Sequence, residues 1–353
     1  MKKVGILTFH YADNYGAVLQ AFALRKKICG FDNYQAEIIN YVPKSFQYSL
    51  YANTEEARQM LIKKRKCFEK FLREECKVNT PMISEVAGNQ YDYYCVGSDQ
   101  VWNMDFSDNE YFFPHLNEND LRFSYAASIG MSLEKVLPFK SIFEKYVSKF
   151  KTVSVREQEH VEFVSDSSGR ECSWVLDPTL LLSEQEYKSI IANEKLVETP
   201  FIFFFWLRHD QELMRGVEFV NMVSRKYHLP IIHAMYDAKK YTFNIDAGCM
   251  IYEGVENFLW YIKNASFVVT NSYHVTLFSM QFKTPFYVFV AQSMRSRVDL
   301  LKQKFHIDNR VVEEYISASD LNNNVDFGQI ENVLQVEREK SVDYLKKALD
   351  IKE

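Results

Sequence analysis

The sequence predicts an α/β protein built from two Rossmann-like domains that face each other across a cleft. Three observations carry the prediction. Short apolar runs alternate with segments of helical period, the pattern of parallel strands joined by crossover helices. A polar stretch over residues 183–198 divides that pattern into two series. The 353 residues suffice for two domains at about 150 residues each, and either could bury its own core.

In the first series, residues 4–9 read as a strand and 17–29 as a helix, with Gly30 in a favoured stop position. Residues 36–41 read as a second strand. A long helix over 55–76 carries Ala57, Leu61, Phe68 and Leu72 on one apolar stripe. Strands follow at 91–96, 123–128 and 153–155. The second series has strands at 201–206, 230–234, 267–270 and 285–290, alternating with helices at 211–227, 255–263 and 274–282. After a polar stretch at 317–324, a last helix runs from 330 to about 348. Domains are therefore expected at 1–182 and 199–325, with residues 326–353 as a helix packing back on the first.

Composition narrows the function classes. With 42 Lys+Arg against 47 Asp+Glu, the net charge is −5, which argues against a nucleic-acid partner. Six scattered cysteines include no Cys-x-x-Cys pair and no zinc spacing, so no metal is expected. The N-terminal residues lack the pattern of a secretory signal, and the longest apolar run, 201–207, is far too short to span a bilayer. A cytoplasmic location is the expectation. Lys63-Lys64-Arg65-Lys66 reads as a solvated helix face, with peripheral contact at the inner face of a membrane as the alternative.

In open α/β sheets ligands sit beyond the carboxyl ends of the strands, so the residues just after strands are the candidates. The first strand is followed by Tyr11 to Gly16. There Asn14 suits a helix cap and Gly16 permits close backbone approach, and a helix start offers N–H groups to an anion. A plain strand–turn–helix junction fits as well. The chain has no Gly-x-Gly-x-x-Gly or Walker loop, which removes support for dinucleotide and P-loop sites. Gly97-Ser98-Asp99-Gln100-Val101-Trp102-Asn103 sets four polar groups and an indole directly behind a hydrophobic strand. Ser124 to Gly130 is a run of small residues, including Ser128, whose simpler reading is tight packing.

Arg156 ends another strand and is the side chain best suited to a carboxylate or phosphate fork. As an exposed pair with Glu157 it would contribute little. The sharpest pattern is Phe267 to Thr276. A strand ends at Thr270, Asn271 or Ser272 caps a helix, and His274 falls in its first turn, beside N–H groups that favour an anion. Arg208 with His209, and Arg295 with Arg297, offer further positive charge after other strands.

Taken in order, Ile6–Phe9 with Asn14–Ala21, Val96–Asn103, Ser124–Ser128, Ser154–Glu157, Val175–Thr179 and Ser272-Tyr273-His274 resemble the polysaccharide pyruvyl transferase family. The resemblance implies a GT-B-like fold and transfer of a pyruvyl group from phosphoenolpyruvate to two hydroxyls of a sugar. The product would be a pyruvate ketal made during cell-surface or exopolysaccharide biosynthesis, on a sugar acceptor that could be a lipid-linked oligosaccharide. Phosphoenolpyruvate is then the co-substrate and no other cofactor is implied.

By the same resemblance, His274 is the acid–base group and Arg156 grips the donor. The residues after strands add Asp99 as a partner for the sugar hydroxyls or the second proton transfer, and Ser272, Tyr273, Arg208 and Arg295 as further donor-binding groups. Asn14, Tyr15, Gly16, Gln20, Ser98, Gln100, Trp102 and Ser128 would line the acceptor side, in the 1–182 domain, with the donor side in 199–325. Ser272 stands where some members carry Arg, so one donor-binding charge is missing. Arg208, Lys283, Arg295 or Arg297 is expected to replace it. Two other classes are compatible with such a fold: a nucleotide-sugar glycosyltransferase and a non-catalytic protein of glycan assembly.

Overall fold

A computed structural model describes the chain except residues 45, 47–54, 79, 106, 208–211, 236–247, 251–252, 291–294, 314–315 and 353. It divides into two compact units. The first comprises Met1–Tyr48, Lys70–Leu182 and Gln335–Glu353, and the second Ser49–Glu69 and Ser183–Leu334. The described strands are β1 (Lys2–Leu7), β2 (Tyr34–Ile38), β3 (Tyr93–Val96), β4 (Arg122–Ser124), β5 (Val153–Val155) and β6 (Cys172–Trp174) in the first unit. In the second they are β7 (Ile202–Trp206), β8 (Ile231–Met235), β9 (Gly248–Met250), β10 (Phe267–Thr270), β11 (Phe286–Phe289) and β12 (Val311–Val312).

The first unit carries a parallel sheet ordered β2-β1-β3-β4, continued by the parallel pair β5-β6 through single bridges Phe123–Thr152 and Ala127–Val155. Strand order therefore reverses between β1 and β3. The expected strand over 123–128 stops at Ser124 because Ala126 takes φ +50, a left-handed turn that a pleated strand cannot continue. Gly30 does follow the Tyr15–Cys29 helix, yet at φ −78, so the stop does not use glycine's left-handed freedom. The core joins Leu7, Tyr94, Val96, Trp102, Phe112, Phe143, Phe150 and Val155.

The second sheet is ordered β12-β11-β10-β7-β8-β9, all parallel, so its order reverses between β7 and β10. Strand β7 reads Ile-Phe-Phe-Phe-Trp because both its faces are covered. Ile202, Phe204 and Trp206 share a core with Leu213, Val217 and Val220 of the Leu213–Tyr227 helix. Phe203 and Phe205 meet Phe258 edge-on, at 5.8 and 5.1 Å between centroids, from the Val255–Asn264 helix. The last helix begins at Phe327 rather than at 330, since Asp326 accepts the Gln329 N–H at 2.9 Å.

His233, on β8, is 9% exposed, and burial lowers its pKa from 6.5 to about 4. Between those values the unfolded chain binds a proton that the folded chain excludes, so stability rises with pH there. The contribution is complete above about pH 6.5 and is lost as pH falls toward 4, with a ceiling of about 3 kcal/mol. Chemical denaturation at successive pH values should show this slope in the wild type, and His233→Asn should flatten it.

Candidate functional site

Both strand-order reversals fall on the polar motifs. In the second unit a hydrogen-bond relay closes the gap between the ends of β7 and β10. Asn271 Oδ1 accepts the Leu207 N–H at 2.8 Å, and the Thr270 hydroxyl donates to the Phe205 carbonyl at 2.8 Å while accepting the Ser272 N–H at 2.9 Å. Ser272 then caps the Tyr273–Gln281 helix by accepting the Val275 N–H at 3.4 Å, and its carbonyl accepts the Thr276 hydroxyl at 2.9 Å. The cap uses the Ser272 oxygen, so this residue orders the helix start and adds no charge.

His274 follows, half-buried, with its ring edge-on to Tyr273 at 5.5 Å. The guanidinium of Arg297 lies 5.8 Å from the centre of the same Tyr273 ring and is 7% exposed. The other cations separate clearly from this group. Arg295 is exposed and paired with Glu313 at 3.2 Å, and Lys283 is exposed and paired with Glu331 at 3.5 Å. Arg208 lies outside the described residues. Helix start, imidazole and one buried guanidinium thus share the reversal point of this sheet, the place where such sheets take ligands.

In the first unit the ends of β1 and β3 are tied in the same manner. The Thr8 hydroxyl donates to the Ser98 carbonyl at 2.6 Å, and its oxygen accepts Gln20 Nε2 at 2.9 Å. Asn14 caps the following helix, accepting the N–H groups of Gly16 and Ala17 at 3.0 and 3.3 Å. Of the residues expected on the acceptor side, only Asn14, Gln100 and the neighbouring Asp99 keep partial exposure. Tyr15, Gly16, Gln20, Ser98, Trp102 and Ser128 are buried. Trp102 is a core residue, stacked on Phe112 at 5.5 Å with its indole N–H on the Tyr111 carbonyl at 3.1 Å. Ser128 donates to Glu157, which also accepts the Ile129 N–H at 3.3 Å.

Asp99 adopts φ +71 and accepts the Gln100 N–H on Oδ1 at 2.8 Å. Beside it, Gly130 has φ +61, and a Cβ there would stand 2.3 Å from Gln100 Oε1. Gly130→Ala should therefore cost about 1–3 kcal/mol, read as a lowered melting temperature, and should push Gln100 off Asn103.

Arg156 is not an open strand-end cation. It is 2% exposed, with Nη1 3.0 Å from Asp177 and 3.5 Å from the Ser98 hydroxyl, and Nε 3.7 Å from Glu157. Asp177, which lies in the Val175–Thr179 block, forms a buried ion pair with it. Among the described residues no group of His, Cys, Asp and Glu is placed to hold a metal ion. None of the described helices is long and apolar enough to cross a membrane.

Comparison with known proteins agrees with this layout. Solved structures similar over nearly the whole chain include the MnaA–UDP structure from S. aureus (13% identity, 99% of this chain and 91% of that one, TM-score 0.51). UDP-GlcNAc 2-epimerases from Methanocaldococcus jannaschii (13%, 95% and 92%, TM-score 0.52) and Neisseria meningitidis (10%, 99% and 98%, TM-score 0.50) are similar to the same extent. At these identities the likeness is one of fold: α/β, with two parallel sheets, GT-B-like. No curated protein matches the sequence significantly. The model of the polysaccharide pyruvyl transferase family matches residues 14–293, which include Asn14, Asp99, Arg156 and His274 but neither β1 nor Arg297. The chain belongs to the polysaccharide pyruvyl transferase family.

Proposed function

We propose that this protein transfers a pyruvyl group from phosphoenolpyruvate to a sugar residue, forming a pyruvate ketal during cell-surface or exopolysaccharide biosynthesis. Family membership supports the reaction class. The observation that carries the residue assignment is the coincidence of the β7/β10 reversal with His274, the Tyr273–Gln281 helix start and the buried Arg297. Phosphoenolpyruvate is a small, highly charged anion with a carboxylate and a phosphate, and a helix start with a desolvated guanidinium is chemistry suited to both. Arg297 then supplies the charge that Ser272 lacks.

In this reading a sugar hydroxyl adds to C2 of the donor while its C3 methylene takes up a proton to become the methyl group. Phosphate leaves C2, a second sugar hydroxyl attacks the same carbon, and the proton it loses departs with phosphate. His274 moves a proton at the donor carbon. Asp99, partly exposed at the β3 end, takes the proton of a sugar hydroxyl, and Asn14 and Gln100 hydrogen-bond the acceptor. The reaction belongs in the cytoplasm, where the donor is made, with a glycan acceptor that can be lipid-linked.

Incubation with phosphoenolpyruvate and a panel of hexopyranosides, galactosides first, should release one phosphate for each ketal formed, measured by phosphate assay and mass spectrometry. Phosphate release without a mass gain on any sugar would contradict the reading.

A further inference from the structure

We infer, on the acceptor reading given above, that Phe9 and Tyr11 form an aromatic platform for a second pyranose ring of the acceptor, so that the substrate is an oligosaccharide rather than a free monosaccharide. Five aromatic side chains gather beyond the carboxyl ends of β1 and β2, all within the first unit. Tyr111 meets Phe9 edge-on at 5.1 Å between centroids and Tyr41 edge-on at 5.7 Å. The Phe9 and Tyr11 rings stand 5.7 Å apart at 58°, and Tyr11 meets Phe46 at 4.5 Å. Burial divides this cluster in two. Tyr111 and Tyr41 are 0% and 5% exposed and form its floor, whereas Phe9, Tyr11 and Phe46 are half-buried. Rings that only filled a core would be covered. Three contiguous rings kept partly in water, at the edge of a parallel sheet where ligands sit, make a binding surface.

The platform is held firmly and stands beside the assigned acceptor groups. His10, between Phe9 and Tyr11, is 2% exposed, with Nδ1 3.1 Å from the Thr8 carbonyl and Nε2 3.3 Å from Asn40 Oδ1. It pins the loop to the segments that follow β1 and β2, while the residue on either side of it keeps its exposure. Below, the Tyr41 hydroxyl donates to Asp108, whose Oδ1 accepts the Glu110 N–H at 3.1 Å. Rings braced in this way lose little freedom when a ligand stacks on them. The Thr8 hydroxyl donates to the Ser98 carbonyl at 2.6 Å, so Phe9 and Asp99 are the chain neighbours of the two ends of one hydrogen bond. Asn14 follows Tyr11 by three residues, a span of at most about 11 Å. A pyranose has an apolar face of C–H groups and a rim of hydroxyls. The C–H face displaces water from a flat ring, leaving the hydroxyls of the adjoining sugar to Asn14, Asp99 and Gln100.

The test screens the full chain against an array of mono- to hexasaccharides of hexoses and N-acetylhexosamines, without donor, and follows the strongest binder by calorimetry. Wild type should bind that oligosaccharide about 10-fold more tightly than its terminal monosaccharide. Tyr11→Ala should reduce the preference to less than about threefold, and Tyr11→Trp and Tyr11→Phe, which keep a flat ring, should retain it. With phosphoenolpyruvate present, the ratio of kcat/KM for the two acceptors should fall in the same way in Tyr11→Ala, while KM for phosphoenolpyruvate stays within about threefold. If Tyr11→Ala melts early, Tyr11→Leu, which fills the space without a flat face, carries the comparison.

A wild type that binds no glycan of the array, or binds mono- and oligosaccharide equally, would overturn the inference. So would a Tyr11→Ala protein that keeps the full preference, or a Tyr11→Phe protein that loses it, which would assign the effect to the hydroxyl. Should the wild type turn over no phosphoenolpyruvate at all, the proposed function fails, and the binding arms still decide whether Phe9 and Tyr11 carry a sugar.

Discussion

Replacing His274 by alanine is expected to lower turnover of phosphoenolpyruvate by about 10²–10⁴-fold, the usual worth of a positioned acid or base. The melting temperature should stay close to wild type. His274 is half-buried at the first turn of its helix, and the groups that build that turn are others: Ser272 caps it, and Asn271 and Thr270 bind the neighbouring strand. KM for the donor should change little, since the anion is assigned to the helix start and Arg297. His274→Gln should behave alike, because an amide preserves volume and hydrogen bonding without carrying a proton across. Steady-state phosphate release beside thermal melts separates these quantities. A His274→Ala protein with full turnover would remove the imidazole from the mechanism.

Removal of residues 335–353 should unfold the first unit. Within that segment Leu345, Ala348 and Leu349 are 0% exposed. The Ser341 hydroxyl accepts the Leu176 N–H at 3.0 Å, and the Tyr344 hydroxyl donates to the Ser124 carbonyl at 2.7 Å. Asp350 pairs with Lys151 and accepts the Tyr93 hydroxyl at 2.9 Å. Losing one buried leucine alone typically costs about 2–5 kcal/mol, so losing all of these contacts rivals the total of about 5–15 kcal/mol that stabilises a domain. Leu345→Ala should reproduce a measurable part of the effect. Circular dichroism of the shortened chain should show lost cooperative melting of the first unit. A shortened protein that melts like the full chain would show that the segment is dispensable.

The strands that could be read from the sequence were those whose burial alone shapes their composition. Residues 267–270 form a strand with the expected bounds because Phe267-Val268-Val269-Thr270 lies mid-sheet between β7 and β11. Strand β6, Cys172-Ser173-Trp174, escaped because three residues of mixed exposure leave no periodic signal, and β12 has only two residues. At the site, polar residues behind apolar runs marked where the carboxyl edges fall. What spacing could not give was the direction of each side chain. Trp102 looked like an indole at a strand end and proved to be core, since Phe112, ten places on, turns back to stack on it. Arg156 reads from the sequence as a strand-end cation or an exposed pair with Glu157, because Asp177, which helps bury it, lies 21 residues away along the chain. Asp177 was legible only as part of the Val175–Thr179 block; in the structure its carboxylate caps the turn that follows by accepting the Thr179 N–H at 3.0 Å.

The central claim is that the start of the Tyr273–Gln281 helix, with His274 and Arg297, takes a small carboxylate–phosphate anion. Melting of wild type and Arg297→Gln with phosphoenolpyruvate or with UDP tests it most directly. At about 100 times Kd a ligand that binds only the folded state stabilises by about 2.7 kcal/mol, an easily read rise in melting temperature. Phosphoenolpyruvate should produce that rise in the wild type and largely fail to do so in Arg297→Gln, with UDP without effect on either. A rise with UDP and none with phosphoenolpyruvate would contradict the account.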